Sequence, residues 1–279
     1  MYAGIETGGT KTVCAVGSEG RVFARVQFPT GTDPESLADQ CAEFFADHPV
    51  TALGLGTFGP CDPDPDSPTY GHILQTPKPG WTGADLLGLL SARIAVPMAM
   101  TTDVNAAALG ELRYGAGRGL HSLVYITIGT GIGGGAIIRG RLLQAGQHPE
   151  MGHMLLPQST GPGVCPYHRN CWEGLASGPG MQARSGVPAQ DIADDDPAWI
   201  LEAQIVATAL HNITCILGPQ RIIIGGGLGS RKALHEHLPA LLDESLAGYL
   251  PSPSLRVPEL GGDAGVVGAL TLAQDHRPG

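Results

Sequence analysis

The stretch Ile5–Val16, IETGGTKTVCAV, reads as a strand, a glycine tip and a second strand, and the same order returns at residues 126–138 as ITIGTGIGGGAII. In each copy a β-branched apolar run breaks on glycines with a threonine beside them and then resumes. Such a tip exposes consecutive backbone N–H groups and lets an anion approach the chain closely. Gly8-Gly9-Thr10-Lys11 by itself fits a plain β-turn as well as a phosphate tip. It is not the G-x4-G-K-[ST] phosphate loop, which also needs a helix after it. The repetition predicts an α/β chain of two related units facing across a cleft, with both tips on one triphosphate.

Working outward, residues 21–27 read as a third strand, 34–47 as a helix with Asp33 as its N-cap, and 52–56 as a fourth strand. The loop 57–83 follows, punctuated by Pro60, Pro63, Pro65, Pro68, Pro77 and Pro79; loops of this length in compact proteins are usually functional. A helix over 84–93 and a strand over 97–102 lead to a helix over 103–114. Asp103, at the strand-to-helix turn, reads either as that helix's N-cap or as a general base where strand ends open on a cleft. A strand over 122–128 starts the second copy. Further on come a helix from about 174, a helix over 197–217, a buried strand over 221–224 and Gly225-Gly226-Gly227, where bare backbone would take a flat group or make a tight turn. Ser230 is expected to cap a helix over 231–246. Asp263 is expected to cap a last helix over 264–274, whose apolar face would pack on the first unit.

The stretch 147–175, QHPEMGHMLLPQSTGPGVCPYHRNCWEGL, carries His153, Cys165, His168 and Cys171. Two imidazoles and two thiolates, with a C-x2-H-x2-C run, make a closed tetrahedral zinc set of structural type. Glu150 and Glu173 flank it. They are either solvated surface charges or carboxylates that the metal loop holds in place for a polar ligand.

The 279 residues are 42% hydrophobic, enough for one large or two ordinary domains. Sixteen basic against twenty-six acidic residues give a net charge of −10, which disfavours a nucleic-acid or anionic-membrane partner and requires any phosphate to be held locally. Forty-two glycines suit an α/β protein built on phosphate loops. Of the six cysteines, two are assigned to the metal and Cys14, Cys41, Cys61 and Cys215 are scattered, so a reducing, cytoplasmic setting is expected. No basic, then apolar leader opens the chain, and no run of about 18 uninterrupted apolar residues occurs.

From ETGGTK through GTFGPCD, TPKPGW, TDVNAAALGE, TIGTGIGGG, HPEMGH, CPYHRNCWEGLASGP and IIIGGGL to GDAGVVGAL, essentially the whole chain resembles the ROK sugar kinases of the actin-like ATPase (ribonuclease H-like) superfold, in their zinc-containing fructokinase branch. The resemblance implies a smaller α/β domain of residues 1–117 plus 264–279 and a larger one, 118–263, that carries the zinc loop. It implies ATP, Mg2+ and Zn2+. Gly8, Gly9, Thr10 and Lys11 would form the first phosphate tip, Thr127, Gly129, Thr130 and Gly131 the second, and Gly225, Gly226 and Gly227 would back the adenosine. Asp103 would be the catalytic base. Glu150, His153 and Glu173 would hold the sugar, and His153, Cys165, His168 and Cys171 the zinc, His153 serving both through its two ring nitrogens. Gly59, Asp62, Thr102 and residues 78–81 would line the sugar pocket. Glu6 stands where many relatives have Asp to hold water around magnesium, and Thr102 where glucose and mannose kinases have Asn. Both substitutions agree with the fructokinase branch. A homodimer without a DNA-binding arm is also implied.

The expected activity is phosphorylation of a hexose by ATP, D-fructose to fructose 6-phosphate. Alternatives are a kinase for mannose, glucose or another hexose, a sugar-sensing protein that keeps the pocket without turnover, and a zinc-stabilised structural module that binds no nucleotide.

Overall fold

The computed structural model describes residues 1–144, 148–157, 161 and 163–276, so residues 147, 158–160 and 162 of the metal stretch and 277–279 of the tail lie outside it. Five strands, β1 (Tyr2–Thr7), β2 (Lys11–Ser18), β3 (Arg21–Pro29), β4 (Leu53–Thr57) and β5 (Met98–Thr102), form one sheet in the order β3-β2-β1-β4-β5. The β1-β2 and β2-β3 pairs are antiparallel, and β1-β4 and β4-β5 are parallel. The second sheet consists of β6 (Leu123–Ile128), β7 (Ile132–Ile138), β8 (Arg141–Leu142), β9 (Arg221–Gly225) and β10 (Ser254–Arg256). Its order, read from the hairpin edge, is β8-β7-β6-β9-β10, with the same succession of antiparallel and parallel pairs. The repeated sequence therefore corresponds to a repeated topology, each glycine tip closing the hairpin that opens its sheet.

Eight helices appear among the described residues: α1 (Pro34–Ala46), α2 (Leu86–Ser91), α3 (Asp103–Tyr114), α4 (Trp172–Ala176), α5 (Gly178–Ser185), α6 (Ala198–Leu217), α7 (Lys232–Leu246) and α8 (Ala264–Asp275). Asp33 caps α1 as expected, its carboxylate accepting from the Glu35 N–H. The helix expected over 84–93 is shorter, because Asp85 caps it and accepts from the Gly88 N–H. The helix expected from 174 is two short ones, α4 and α5. Ser177 ends the first and caps the second, accepting from the Gly180 N–H.

Two expected caps are corrected. Ser230 does not cap α7, which begins after Arg231 with no side-chain cap. Asp263 precedes α8 without capping it, its carboxylate being taken by Arg25 Nη1 at 2.7 Å. A charged partner from β3 wins over the local N–H groups.

The long helix α3 lies between the sheets, and α8 packs on it and on β1 and β4, which is where its apolar face was expected to go. The approach is close enough to require glycine. A Cβ at Gly268 would stand 1.6 Å from the Ala106 carbonyl oxygen, and one at Gly54 2.0 Å from that of Ala269. The second sheet is covered by α6, which is long and apolar enough to cross a membrane by composition alone. Here it buries Trp199, Ile205, Val206, Leu210 and Ile213 in a core shared with α7 and β9, and its buried Glu202 pairs with Arg184.

The chain crosses from the first sheet to the second after α3 and returns before α8. The fully buried Glu111 of α3 holds both crossings, accepting from the N–H groups of Ala116 at 2.6 Å and Leu260 at 2.8 Å.

Candidate active site and metal centre

All the sheet-borne functional candidates sit at the carboxyl ends of parallel strands or at the hairpin tips, the edge at which open α/β sheets place ligands. The first tip is closed by the Gly8 N–H donating to the Lys11 carbonyl at 2.9 Å, the second by the Gly129 N–H to the Gly131 carbonyl at 2.9 Å. Both tips open on one cavity of about 680 Å³. Thr10 and Lys11 line it from one side, Thr127 and Gly129 from the other, with Asp103 between them and Gly226 and Gly227 beyond. Gly226 has φ +84°, and a Cβ there would meet the Ile128 carbonyl oxygen at 2.4 Å, so glycine is needed to turn the chain against the second tip. A Cβ at Gly225 would meet the Tyr125 hydroxyl at 2.5 Å.

Asp103 does not cap α3. Its neighbour Thr102 does, accepting from the Asn105 N–H at 3.2 Å. That separation of duties leaves one Asp103 oxygen on its own Val104 N–H at 2.8 Å, with the carboxyl standing in the cavity wall. Burial, then the neighbouring Glu6, raises its pKa to about 7, and Glu150 adds to the shift. Thr102, expected to face the sugar, serves this cap with its hydroxyl oxygen as the acceptor.

Glu6 also lines the cavity, and its Oε2 is buried without a partner among the described residues. Burial raises its pKa against the opposing pull of Lys11. Two carboxylates on one wall, one with an orphaned oxygen, fit a hard divalent cation that keeps its waters.

A second cluster surrounds Glu150. Its Oε1 lies 3.2 Å from His148 Nε2, and a Cβ at Gly59 would come within 2.7 Å of that nitrogen and 3.1 Å of that oxygen. Burial, then Glu173, raises the Glu150 pKa to about 7. Asp62 does not project into this cluster. Its carboxylate accepts from Ser67 Oγ at 2.5 Å, Thr69 Oγ1 at 2.6 Å and the Asp64 N–H at 3.1 Å. Those bonds brace its own loop and outweigh burial, so its pKa falls. The Lys78 ammonium donates to the Gly9 carbonyl at the first tip.

The metal set converges. One ligating atom from each of His153, Cys165, His168 and Cys171 lies within 4.8 Å of all the others. His153 Nδ1 is 3.8 Å from Cys165 Sγ and 3.6 Å from Cys171 Sγ, and His168 Nδ1 is 3.9 Å from Cys165 Sγ. Zinc bond lengths of about 2.3 Å to sulfur and 2.0–2.1 Å to nitrogen place S and N about 3.6 Å apart on a tetrahedron. The four side chains fit that ion. Cys171 also caps α4, so the next helical turn presents Glu173, whose Oε2 accepts from the Ile132 N–H at 2.9 Å. The metal loop is thereby tied to the second tip. The Gly178 N–H adds another tie, donating to the Gly129 carbonyl at 2.7 Å.

Sequence reasoning passed over His148, although it quoted HPEMGH, and over Tyr125, Ser230 and the segment 257–265 on the far wall of the cavity. Nothing in the residue types of 257–265 marks them as site residues.

The family model of the ROK family matches residues 2–276. The chain belongs to the ROK family. It is 44% identical over 285 residues to the protein named "Putative fructokinase" in Bacillus subtilis (strain 168), covering 98% of this chain and 95% of that one. It is 40% identical over 282 residues to the fructokinase of Pediococcus pentosaceus, covering 98% of each. Among solved structures, a ROK family glucokinase from Streptomyces griseus in complex with glucose and AMPPNP superposes with a TM-score of 0.82 at 27% identity, covering 98% of this chain and 99% of that one. The fold is thus that of the ROK sugar kinases.

Proposed function

We propose that this ROK chain is an ATP-dependent fructokinase that transfers the γ-phosphoryl group to the primary hydroxyl of D-fructose, giving fructose 6-phosphate. The observation that carries the reading is one cavity onto which Asp103 and both glycine tips converge. The fructokinase names of relatives at 40% identity and above, over nearly the full length, support fructose as the acceptor.

Phosphoryl transfer asks for positioning and charge neutralisation more than covalent chemistry. The backbone N–H groups of Gly9, Thr10, Thr130 and Gly131, in tips closed by Gly8 and Gly129, hold the triphosphate with the hydroxyls of Thr10 and Thr127 and the Lys11 ammonium. Gly225, Gly226 and Gly227 carry the adenosine. Mg2+, when bound, neutralises phosphate charge, and Glu6 with Asp103 supplies its carboxylate wall. Glu150, His153 and Glu173 orient the sugar beside Gly59, while Asp62 and Thr102 act by bracing the loop and the helix that present the site. Asp103 takes the proton of the attacking hydroxyl. Zn2+, when bound, ties His153, Cys165, His168 and Cys171 into a scaffold, and with all four positions filled by protein it leaves no open site for Lewis-acid chemistry.

Residues 1–117 with 264–279, and 118–263, are taken as two domains that close on the substrates and exclude water. A cytoplasmic homodimer that binds neither nucleic acid nor membrane completes the reading.

The test is ADP release from purified protein with Mg-ATP and a panel of hexoses, with zinc measured in the same preparation. Turnover highest on fructose, with about one zinc per chain, is the expected result. Preferential turnover of glucose or mannose overturns the acceptor. No hexose-dependent ADP release from folded, zinc-loaded protein overturns the enzyme and favours sugar sensing.

A further inference from the structure

One buried polar side chain at the sugar cluster has no task in the reaction described above. His148 is 9% exposed and its side chain 5%. Neither Nδ1 nor Nε2 has a hydrogen-bond partner among the described residues. The Glu150 carboxylate, at 3.2 Å from Nε2, is near enough to interact but is not aligned as an acceptor. Buried polar groups in native proteins are nearly always satisfied, and an exception at a site points to a ligand.

The surroundings say what that ligand is. The imidazole lies on the second-sheet side of the molecule, and the loop that covers it comes from the first-sheet side through Gly59. A Cβ at Gly59 would stand 2.7 Å from Nε2 and 3.1 Å from Glu150 Oε1, so the imidazole and the carboxylate both pack against the bare backbone of that loop. Burial lowers the His148 pKa and so favours the neutral ring, which offers one donor and one acceptor. A carboxylate next to it offers acceptors alone. A hydroxyl group, which donates once and accepts, satisfies both neighbours at the same time; a phosphate would be repelled by Glu150.

We propose that His148 is a substrate-contacting, specificity-determining residue, whose unpartnered ring nitrogens together with Glu150 receive one sugar hydroxyl beside the Gly59 loop. This rests on the fructokinase reading of the same site. The pair distinguishes acceptors because a hexose whose hydroxyl is misplaced leaves the buried imidazole and carboxylate unpaired, and sites built to hydrogen-bond a hydroxyl discriminate far better than apolar pockets.

The experiment compares wild type, His148→Ala and His148→Gln in steady state at saturating Mg-ATP with fructose, mannose and glucose, alongside ATP KM, zinc content and melting temperature. Wild-type turnover on fructose is the control: its absence overturns the fructokinase reading, not this one. With that control positive, His148→Ala is expected to raise the fructose KM on the order of tenfold to a hundredfold, and to narrow the fructose-to-mannose efficiency ratio. ATP KM and zinc content stay at wild-type values. His148→Gln, which retains a donor near the Nε2 position, recovers most of the loss and serves as the informative variant where alanine fails to fold. An unchanged fructose KM, or an equal loss on all three sugars, overturns the proposal.

Discussion

The ammonium of Lys78 donates to the carbonyl oxygen of Gly9 at 2.7 Å, joining the long proline-rich loop to the first glycine tip across 69 residues of sequence. The Phe58 and Trp81 rings each lie 6.0 Å from the same nitrogen, and Trp81 Nε1 donates to the Gly31 carbonyl at 3.1 Å. The loop that carries Gly59 is therefore tied to the tip that faces the cavity. Burial lowers the Lys78 pKa.

Lys78→Met is expected to loosen the tip while keeping the aliphatic packing. The efficiency with Mg-ATP should fall by about tenfold, consistent with loss of one charged hydrogen bond, whereas the melting temperature changes little. Initial rates against Mg-ATP at fixed fructose measure this.

Asp103 must be ionised to accept a proton, and its pKa of about 7 places that ionisation inside the accessible pH range. Efficiency toward fructose should fall as pH drops through about 7, approaching tenfold per pH unit, because the protonated fraction of the free enzyme is inactive. Asp103→Asn should lose about 10²- to 10⁴-fold in turnover and still bind fructose. Near-normal turnover in that variant removes the assignment.

The same shift has a consequence of opposite sign for stability. Between the ordinary value of 3.8 and about 7 the folded carboxyl keeps its proton while the unfolded one has lost it. Stability contributed by this group therefore declines as pH rises through that window. Without ligands, Asp103→Asn should melt about 2–5 °C above wild type at pH 8, with the difference shrinking toward pH 4. Calorimetry across pH tests it, and a variant less stable than wild type at pH 8 contradicts it.

Cys165 is 4% exposed and Cys171 fully buried in the metal set, so Cys165→Ser should lose zinc and lower the melting temperature. Because Glu173 follows the set and accepts from the Ile132 N–H, the fructose KM should rise as well. Metal analysis with fructose kinetics decides this: full fructose affinity in metal-free protein rules out the scaffold role.

Gly268 and Ala106 meet where α8 crosses α3. A Cβ at Gly268 would lie 1.6 Å from a backbone oxygen, which no rotamer change relieves. Gly268→Ala should cost about 2–4 kcal/mol and lower the melting temperature by roughly 5–12 °C, with zinc content unchanged.

What the sequence determined by itself is what depends on neighbouring residues. Glycine tips declare themselves because their backbone freedom is a property of the residues present, and the repeated tip implied the repeated sheet that β1-β2 and β6-β7 open. The Cys/His cluster was legible because three of its four members lie at x2 spacing in one loop, and Asp33 because a cap bonds within its own first turn. Tertiary structure decided the rest. Thr102 rather than Asp103 caps α3, a one-residue choice that frees the carboxyl for the cavity. Asp263 leaves its helix because Arg25, 238 residues away, reaches it. Lys78 sits at the first glycine tip because the loop folds back on Gly9. His148 acquires meaning only when the Gly59 loop closes over it and leaves both nitrogens unpaired. Local backbone preference and ligand spacing are written in short segments. Which polar group is left over after folding depends on every distant partner that did or did not arrive.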